Sequence, residues 1–215
     1  MSALLPLNAL SREEHQFLGS KRHPLPACGY LYQQGDRSTE LYWIRAGIVC
    51  LESVNERGER CILHFLGQGA VLGHETFLKQ PRTFDARACT DALVEVIAPS
   101  LAPDPSLCAF MMRRVHAAAA TPLQDAARFK VDLHRAQATE KVILLLEHLR
   151  KLHPEKADAY WLPSRNDMAD ILDINHATAS RVVARLFREG ALRRTASKSF
   201  VQVDWSLISR LRRGG

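Results

Sequence analysis

The segment from His176 to Arg188 has small and basic side chains spaced so that they share one face of a helix. These residues are His176, Ala177, Ser180, Arg181, Ala184 and Arg185. Short side chains let a helix lie close to the edges of paired bases, and a guanidinium can bind the O6 and N7 of a guanine together. We therefore expect base contacts from His176, Ala177, Ser180 and Arg181.

Polar and basic groups surround this face and could bind phosphates. The expected phosphate contacts are Arg165, Asn166, Thr178, Arg185, Arg193 and Lys198. The charge distribution favours this interpretation. Residues 176–215 contain nine Lys and Arg residues but only two Asp and Glu residues, whereas residues 1–137 contain 15 Lys and Arg residues and 14 Asp and Glu residues. The alternative is an ordinary corner between two helices that carry solvated arginines.

Two helices would hold these side chains in place. Ser164 is suited to cap a first helix, whose apolar face is Met168, Ile171 and Leu172. The break at 173–175 separates it from a second helix, which Gly190 ends. The apolar face of the second helix is Thr178, Val182, Val183, Leu186 and Phe187. With a β-hairpin expected over 192–203, this arrangement predicts a winged helix-turn-helix.

The N-terminal half has a different texture. Short runs rich in Val, Ile, Leu and aromatic residues alternate with glycines from residue 25 to 98, which predicts a small β-barrel, roll or sandwich. Residues 55–59 predict a hairpin turn within it. Before the strands, Ser11 and Glu14 form a capping box that predicts a short helix.

A heptad pattern between these two halves predicts a long helix from 104 to 136. Its apolar seam is Cys108, Met112, Val115, Ala119, Pro122, Ala126, Phe129, Leu133 and Ala136. A seam of this length is typical of a helix that pairs with a second copy of itself, and the alternative is packing on its own β-domain. The predicted domains are therefore 1–103, a dimerisation helix at 104–137, and 138–215.

Other patterns exclude several classes of function. The five cysteines, at 28, 50, 61, 89 and 108, include no C-x-x-C pair, which argues against a zinc ribbon or a clustered iron–sulfur site. The chain has no His-x-His pair, nucleophile elbow or phosphate-binding loop, so we expect neither a metal site nor enzyme activity. It also has no segment long and apolar enough for a bilayer and no signal-peptide pattern, so the expected location is the cytoplasm.

Residues 11–205 resemble the cAMP receptor protein/FNR (Crp/Fnr) family of bacterial transcription regulators. The resemblance is carried by residues 29–36, 41–47 and 60–73, followed by the long helix and the winged motif. It implies an α+β fold with an N-terminal β-roll (jelly roll) like a cyclic-nucleotide-binding domain, a dimerisation helix and a C-terminal winged helix-turn-helix. It further implies a homodimer that binds double-stranded DNA at palindromic promoter sites and recruits RNA polymerase as an activator.

The resemblance also places an effector pocket. Its candidate residues are Gly73, His74, Glu75, Arg82, Thr83, Ala126 and Ala127. Members of the family that bind cAMP have a Gly-Glu pair whose carboxylate holds the ribose, whereas here His74 follows Gly73. An imidazole cannot replace a bidentate carboxylate acceptor, and Ala126 and Ala127 offer adenine no polar group. The expected effector is therefore not cAMP, and Arg82 is interpreted as a structural ion-pair residue.

The remaining expectations concern other signals and the DNA site. The iron–sulfur branch of the family needs clustered N-terminal cysteines, of which this chain has only Cys28, and a haem would have to use His64, His74 or Cys89, so we expect neither group. A thiol signal, an unidentified ligand and control by abundance stay open. Ala177 stands where many members have Glu, which predicts relaxed base preference there.

Three alternatives are kept. The first is a cyclic-nucleotide- or haem-responsive member of the same family. The second is a cyclic-nucleotide-binding module that does not bind DNA. The third is a cupin-like metal enzyme.

Overall fold

The structure is a computed structural model that describes residues 21–98, 124–153 and 157–213. The helix predicted at Ser11 and the seam residues Cys108, Met112, Val115, Ala119 and Pro122 lie outside these ranges. The described residues form two compact units. The first contains residues 21–53, 63–98 and 124–126, and the second contains residues 54–62, 127–153 and 157–213. The domain boundaries predicted near 103 and 137 stay predictions.

The predicted β-roll is confirmed over residues 21–98. Its strands are β1 (Lys21–Leu25), β2 (Tyr30–Tyr32), β3 (Leu41–Ala46), β4 (Val49–Val54), β5 (Arg60–Leu66), β6 (Val71–Leu72), β7 (Asp85–Ala88) and β8 (Ala92–Ile97). A short helix, α1 (Glu75–Leu78), lies between β6 and β7. The strands form two sheets, in the orders β1-β8-β3-β6 and β2-β7-β4-β5.

The core of the roll follows from the alternation of side chains along its strands. Ile44 and Val49 are fully buried, and they cluster with Leu66 and Leu72. Pro24 has no backbone N–H to donate, and it lies on β1, the edge strand of its sheet, where that donor is not needed.

The turn between β4 and β5 is the predicted hairpin turn. The backbone N–H of Asn55 donates to the carbonyl of Glu59 at 3.0 Å, and that of Gly58 donates to the carbonyl of Asn55 at 2.9 Å. The side-chain Oδ1 of Asn55 also accepts from the N–H groups of Arg57 and Glu59. These bonds give the turn a defined shape and place Arg60 at the start of β5.

The C-terminal unit confirms the predicted helix-turn-helix and its wing. Its helices are α2 (124–135), α3 (Ala138–Lys151), α4 (Arg165–Leu172), α5 (His176–Arg188) and α6 (Trp205–Arg213). Its strands β9 (Tyr160–Trp161), β10 (Leu192–Arg194) and β11 (Phe200–Val203) form a small sheet in the order β10-β11-β9. Among the described residues, no helix combines the length and the apolar character needed to cross a membrane.

Helix α2 carries the described end of the predicted dimer seam. Phe129 and Leu133 are buried, and the Phe129 ring lies 4.9 Å from the ring of His148 on α3. Ala136 lies just beyond the last residue of α2, and Val131 on its other face is 71% exposed. Packing within the chain thus already buries two seam residues, and pairing with a second copy stays a prediction.

Candidate nucleic-acid interface

Helices α4 and α5 meet through a short turn whose geometry is set by local hydrogen bonds. Ser164 caps α4, because its side chain accepts a hydrogen bond from the N–H of Asp167 at 3.0 Å. Asp173 ends α4 in the left-handed region at φ 50°, which an Asp tolerates better than most residues. Asn175 then caps α5 by accepting from the N–H of Thr178 at 2.7 Å.

Helix α5 buries one face and exposes the other. Val182, Val183 and Leu186 are buried as predicted, and Ala179 is buried with them, whereas Thr178 and Phe187 of the predicted face are half-buried. The exposed face presents His176, Ala177, Arg181, Ala184 and Arg185, with Ser180 half-buried beside them. The structure therefore brings all four predicted base-contact residues onto the N-terminal half of one accessible helix face.

Arg181 has an internal hydrogen bond that limits its freedom. Its Nη2 donates to Oγ1 of Thr178, one turn earlier on α5, at 3.1 Å. A guanidinium held in this way loses less conformational entropy when it binds a planar pair of acceptors. Arg185 is instead paired with Glu189 at 2.6 Å on the exposed surface.

The predicted phosphate contacts lie on several elements. Asn166, Arg193 and Lys198 are exposed, on α4, β10 and the loop that follows β10. Arg165 is half-buried, with its Nη1 3.7 Å from the sulfur of Met168, and burial lowers its pKa. In the wing, Leu192 pairs with Val203. Arg193 and Arg194 come next on β10, and both side chains are exposed.

The candidate effector pocket is built around a buried arginine. The Arg82 side chain is almost fully buried, and its Nη2 donates to the carbonyl of Glu40 at 2.7 Å. The guanidinium carbon also lies 4.2 Å from the centre of the Tyr32 ring and 5.4 Å from that of Tyr42. Because Gly73 has no side chain, the Arg82 guanidinium packs against its backbone.

Glu75 completes this cluster. Its Oε1 accepts from the N–H of Thr83 at 3.1 Å, and its Oε2 lies 3.5 Å from Nη1 of Arg82. Burial by itself raises the pKa of Glu75, but backbone N–H groups and the charges of His74 and Arg82 outweigh it and bring the pKa below its ordinary value. The carboxylate and the guanidinium thus neutralise each other inside the roll.

The structure brings together only part of the predicted pocket. Gly73, Glu75, Arg82 and the backbone of Thr83 form one cluster, whereas the side chain of His74 is mostly exposed. Ala126 and Ala127 lie on α2, half-buried and exposed respectively. Within this cluster Glu75 Oε1 and Arg82 Nη2 have hydrogen-bond partners, whereas Glu75 Oε2 and Arg82 Nη1 lie 3.5 Å apart and have none among the described residues.

Residues 22–100 match the family model of the cyclic nucleotide-binding domain. The chain is 29% identical over 194 residues to the nitrogen fixation regulation protein FixK of Bradyrhizobium diazoefficiens, covering 86% of this chain and 79% of that protein. It is also 24% identical to the transcriptional regulator SdrP of Thermus thermophilus over 71% of this chain and 74% of that protein. The chain is thus similar to regulators of the Crp/Fnr type over most of its length.

A solved structure agrees with this similarity in fold. The CRP-family transcriptional regulator TTHB099 of Thermus thermophilus superposes with a TM-score of 0.74 at 21% identity, over 91% of this chain and 97% of that one. The likeness in fold therefore extends from the nucleotide-binding-like roll to the winged helix-turn-helix. FixK and SdrP are regulators rather than enzymes.

Other candidate groups among the described residues are dispersed. Cys28 and Cys61 are exposed, Cys50 is buried and Cys89 is half-buried, and all four are free thiols. Over 21–98, 124–153 and 157–213, no three His, Cys, Asp or Glu side chains come together in a way that could hold a metal ion.

Sequence reasoning missed several residues that shape the candidate sites of this chain. Tyr32, Tyr42 and the carbonyl of Glu40 surround Arg82, but they lie 40 or more residues away in the chain and belong to other strands and loops. Arg60 contacts α4 through Asp167 and Asp170, more than 100 residues later. The signal that could identify these residues is the burial of the charged side chains they contact, and this burial can be seen only in the folded structure.

Proposed function

We propose that this protein is a dimeric transcription regulator of the Crp/Fnr type that binds specific double-stranded DNA. The observation that carries the proposal is the exposed face of α5, where Arg181 is held by Thr178 among short side chains. Such a face fits the major groove, and the fork of Arg181 suits a guanine. Around it, the expected phosphate contacts are Arg165, Asn166, Thr178, Arg185, Arg193 and Lys198.

We further propose that two copies pair through the 104–137 segment and bind a palindromic site. In this geometry each recognition helix enters one half-site, with about 34 Å between the two half-sites. The surplus of seven positive charges over residues 176–215 would then be presented twice, once for each half-site. The bound dimer acts as an activator by contacting RNA polymerase, in the cytoplasm.

The effector in this proposal is not a cyclic nucleotide. Support comes from the mostly exposed His74 that follows Gly73. It also comes from Arg82, whose Nη2 donates to the carbonyl of Glu40 and whose Nη1 lies 3.5 Å from Glu75. The second candidate, a cyclic-nucleotide-responsive regulator, is favoured by the family-model match over 22–100. Calorimetric titration with cAMP and cGMP distinguishes the two, since the proposal expects no binding heat and the second candidate expects saturable binding.

The test of DNA recognition starts from a randomised pool of duplexes, from which the full chain selects its preferred site. Arg181→Ala should then lower discrimination between this site and random DNA by about 1–3 kcal/mol in a fluorescence-anisotropy titration. Arg188→Ala is the matched control, because it removes the same charge from the exposed surface at the end of the same helix. It should weaken both affinities and leave their ratio nearly unchanged.

Three outcomes would contradict the proposal or a part of it. If Arg181→Ala discriminates as well as the unmodified chain, α5 is not the recognition helix. If sedimentation of the protein–duplex complex shows one chain per selected site, the dimer is wrong. In transcription assays with purified RNA polymerase, the proposal expects more transcript from a promoter carrying the site, and less transcript would overturn the activator role.

A further inference from the structure

The first helix of the helix-turn-helix is held at its C-terminal end by two lysines from other helices. Lys130 on α2 donates to the carbonyl of Ile171 at 3.1 Å, and Lys141 on α3 donates to the carbonyl of Leu172 at 3.0 Å. Carbonyls at the end of a helix lack partners within it, and a positive charge there is favourable. These bonds fix one end of α4.

Helix α4 is also held by Arg60, which lies on the β4–β5 hairpin. Its Nη2 donates to Oδ1 of Asp167 at 2.7 Å, and its Nε donates to Oδ2 of Asp170 at 2.8 Å. Asp167 and Asp170 are one turn apart on α4, so the forked guanidinium spans both carboxylates. Asp167 also accepts a hydrogen bond from the Ser164 hydroxyl at 2.8 Å, which joins Arg60 to the cap of the helix.

This contact is partly shielded from water. The side chain of Arg60 is 29% exposed, and those of Asp167 and Asp170 are 12% and 25% exposed. Burial by itself lowers the pKa of Arg60, but hydrogen bonds and charge from the two aspartates outweigh it and raise the pKa above its ordinary value. The ion pair is therefore stronger than a typical pair on an open surface.

The position of α4 decides the position of α5. The two helices are joined by residues 173–175, where Asp173 has a left-handed backbone and the Asn175 side chain caps α5. A turn this short and this constrained transmits a shift of α4 to the recognition helix. The hairpin that carries Arg60 is itself well defined, since the Asn55 side chain closes its turn.

From these contacts we infer that Arg60 is a positioning residue for DNA recognition, which holds α4 and thereby aims the exposed face of α5. The hairpin thus controls specific affinity without touching the nucleic acid. This inference rests on the proposed function.

The test compares Arg60→Ala with Arg57→Ala in the full chain. Arg57 is exposed at the tip of the same hairpin, three residues away, and its removal takes away the same charge. Anisotropy titrations with the selected duplex and with random DNA should give a loss of specific affinity of roughly 3- to 30-fold for Arg60→Ala, with unchanged affinity for random DNA. Arg57→Ala should leave both affinities close to those of the unmodified chain.

A charge-swap series separates positioning from a general loss of stability. Arg60→Asp should weaken specific binding more than Arg60→Ala, because it places a third carboxylate beside Asp167 and Asp170. Adding Asp170→Arg to Arg60→Asp should restore most of the specific affinity, since the pair is rebuilt with its charges exchanged. Thermal melts of each variant establish that the protein tested is folded.

Hydrogen exchange of the free protein gives a readout that does not depend on DNA. The amides of α4 should exchange faster in Arg60→Ala and not in Arg57→Ala. If the unmodified chain selects no duplex, the proposed function fails while this exchange result still tests the contact. Equal specific affinities for the two alanine variants, or a selective loss of random-DNA binding by Arg60→Ala, would overturn the inference.

Discussion

The Arg82 guanidinium packs directly against the backbone of Gly73, in the space that a side chain at position 73 would need. Gly73 also has φ +90°, a backbone conformation that residues with a Cβ rarely adopt. Two separate requirements, one of space and one of backbone, therefore make this position a glycine.

Gly73→Ala should separate these two requirements when it is compared with Gly69→Ala. Gly69 has a similar φ of +93°, but a Cβ there would meet nothing within 4 Å. Backbone strain should lower the free energy of unfolding of both variants by about 1–3 kcal/mol. Gly73→Ala should lose more than Gly69→Ala, because it must also displace a buried guanidinium. Urea denaturation measures both, and equal losses would mean that Arg82 moves aside without cost.

Glu75→Gln should destabilise the protein in a pH-dependent way. The pKa of Glu75 is held below its ordinary value of 4.5, so the ionised carboxylate stabilises the folded state above that pH. This stabilisation disappears as the pH falls through the lower pKa of the folded state. We expect a loss of about 1–3 kcal/mol in the free energy of unfolding at pH 7, shrinking below pH 4.5. Glu56→Gln, at an exposed position of the β4–β5 turn, is the control. A loss that stays constant with pH would show that charge is not the cause.

Removing one partner of the ion pair between Glu52 and Arg87 should substantially lower the free energy of unfolding. Arg87 donates from Nε and Nη2 to the carboxylate of Glu52 at 3.0–3.1 Å, and both residues are buried. Removing the carboxylate leaves a buried guanidinium without its main partner, which typically costs about 3–5 kcal/mol. Glu52→Ala should therefore lower the free energy of unfolding by about that amount.

The exposed pair Arg212–Glu147 provides the comparison for this experiment. Nη1 of Arg212 lies 2.6 Å from Oε2 of Glu147, but the two side chains are 44% and 31% exposed. Glu147→Ala should cost less than about 1 kcal/mol, because water screens the pair. Similar losses in the two variants, measured by chemical denaturation, would mean that burial does not strengthen the Glu52–Arg87 pair.

Asp173 should be replaceable by glycine but not by alanine. Its φ of 50° lies in the left-handed region, where Gly is unstrained and Ala is disfavoured by about 1 kcal/mol. Asp173→Gly should therefore keep or raise the melting temperature and preserve specific DNA binding. Asp173→Ala should lower the melting temperature. The prediction is contradicted if alanine is tolerated better than glycine, which would mean that the turn relaxes out of its left-handed conformation.

Much of the fold was predictable because it depends on local pattern. The cap at Ser164, the apolar faces of α4 and α5, and the hairpin turn at residues 55–59 all depend on groups only a few residues apart in the chain. The same holds for the recognition face, since four candidate residues spaced along one helix must share a side of it. Their side chains were predictable as neighbours before the tertiary structure was known.

The partners of the buried charged side chains could not be predicted from local sequence patterns. Arg82 meets Tyr32, Tyr42 and Glu40 across the roll, and Arg60 meets Asp167 and Asp170 across more than 100 residues of chain. Phe129, placed on a seam between copies by its spacing, packs on His148 of its own chain. A heptad pattern states that a residue is buried but not what buries it.

The sequence by itself determined the order of the elements, the exposed basic face of α5 and the concentration of positive charge after residue 175, because periodicity and charge are properties of the chain. Only the tertiary structure decided that Arg82 contacts other residues of the β-roll. The same is true of the hydrogen bonds from Arg60 to Asp167 and Asp170 on the first helix of the helix-turn-helix. These contacts join distant segments, and their existence depends on how the strands and helices pack.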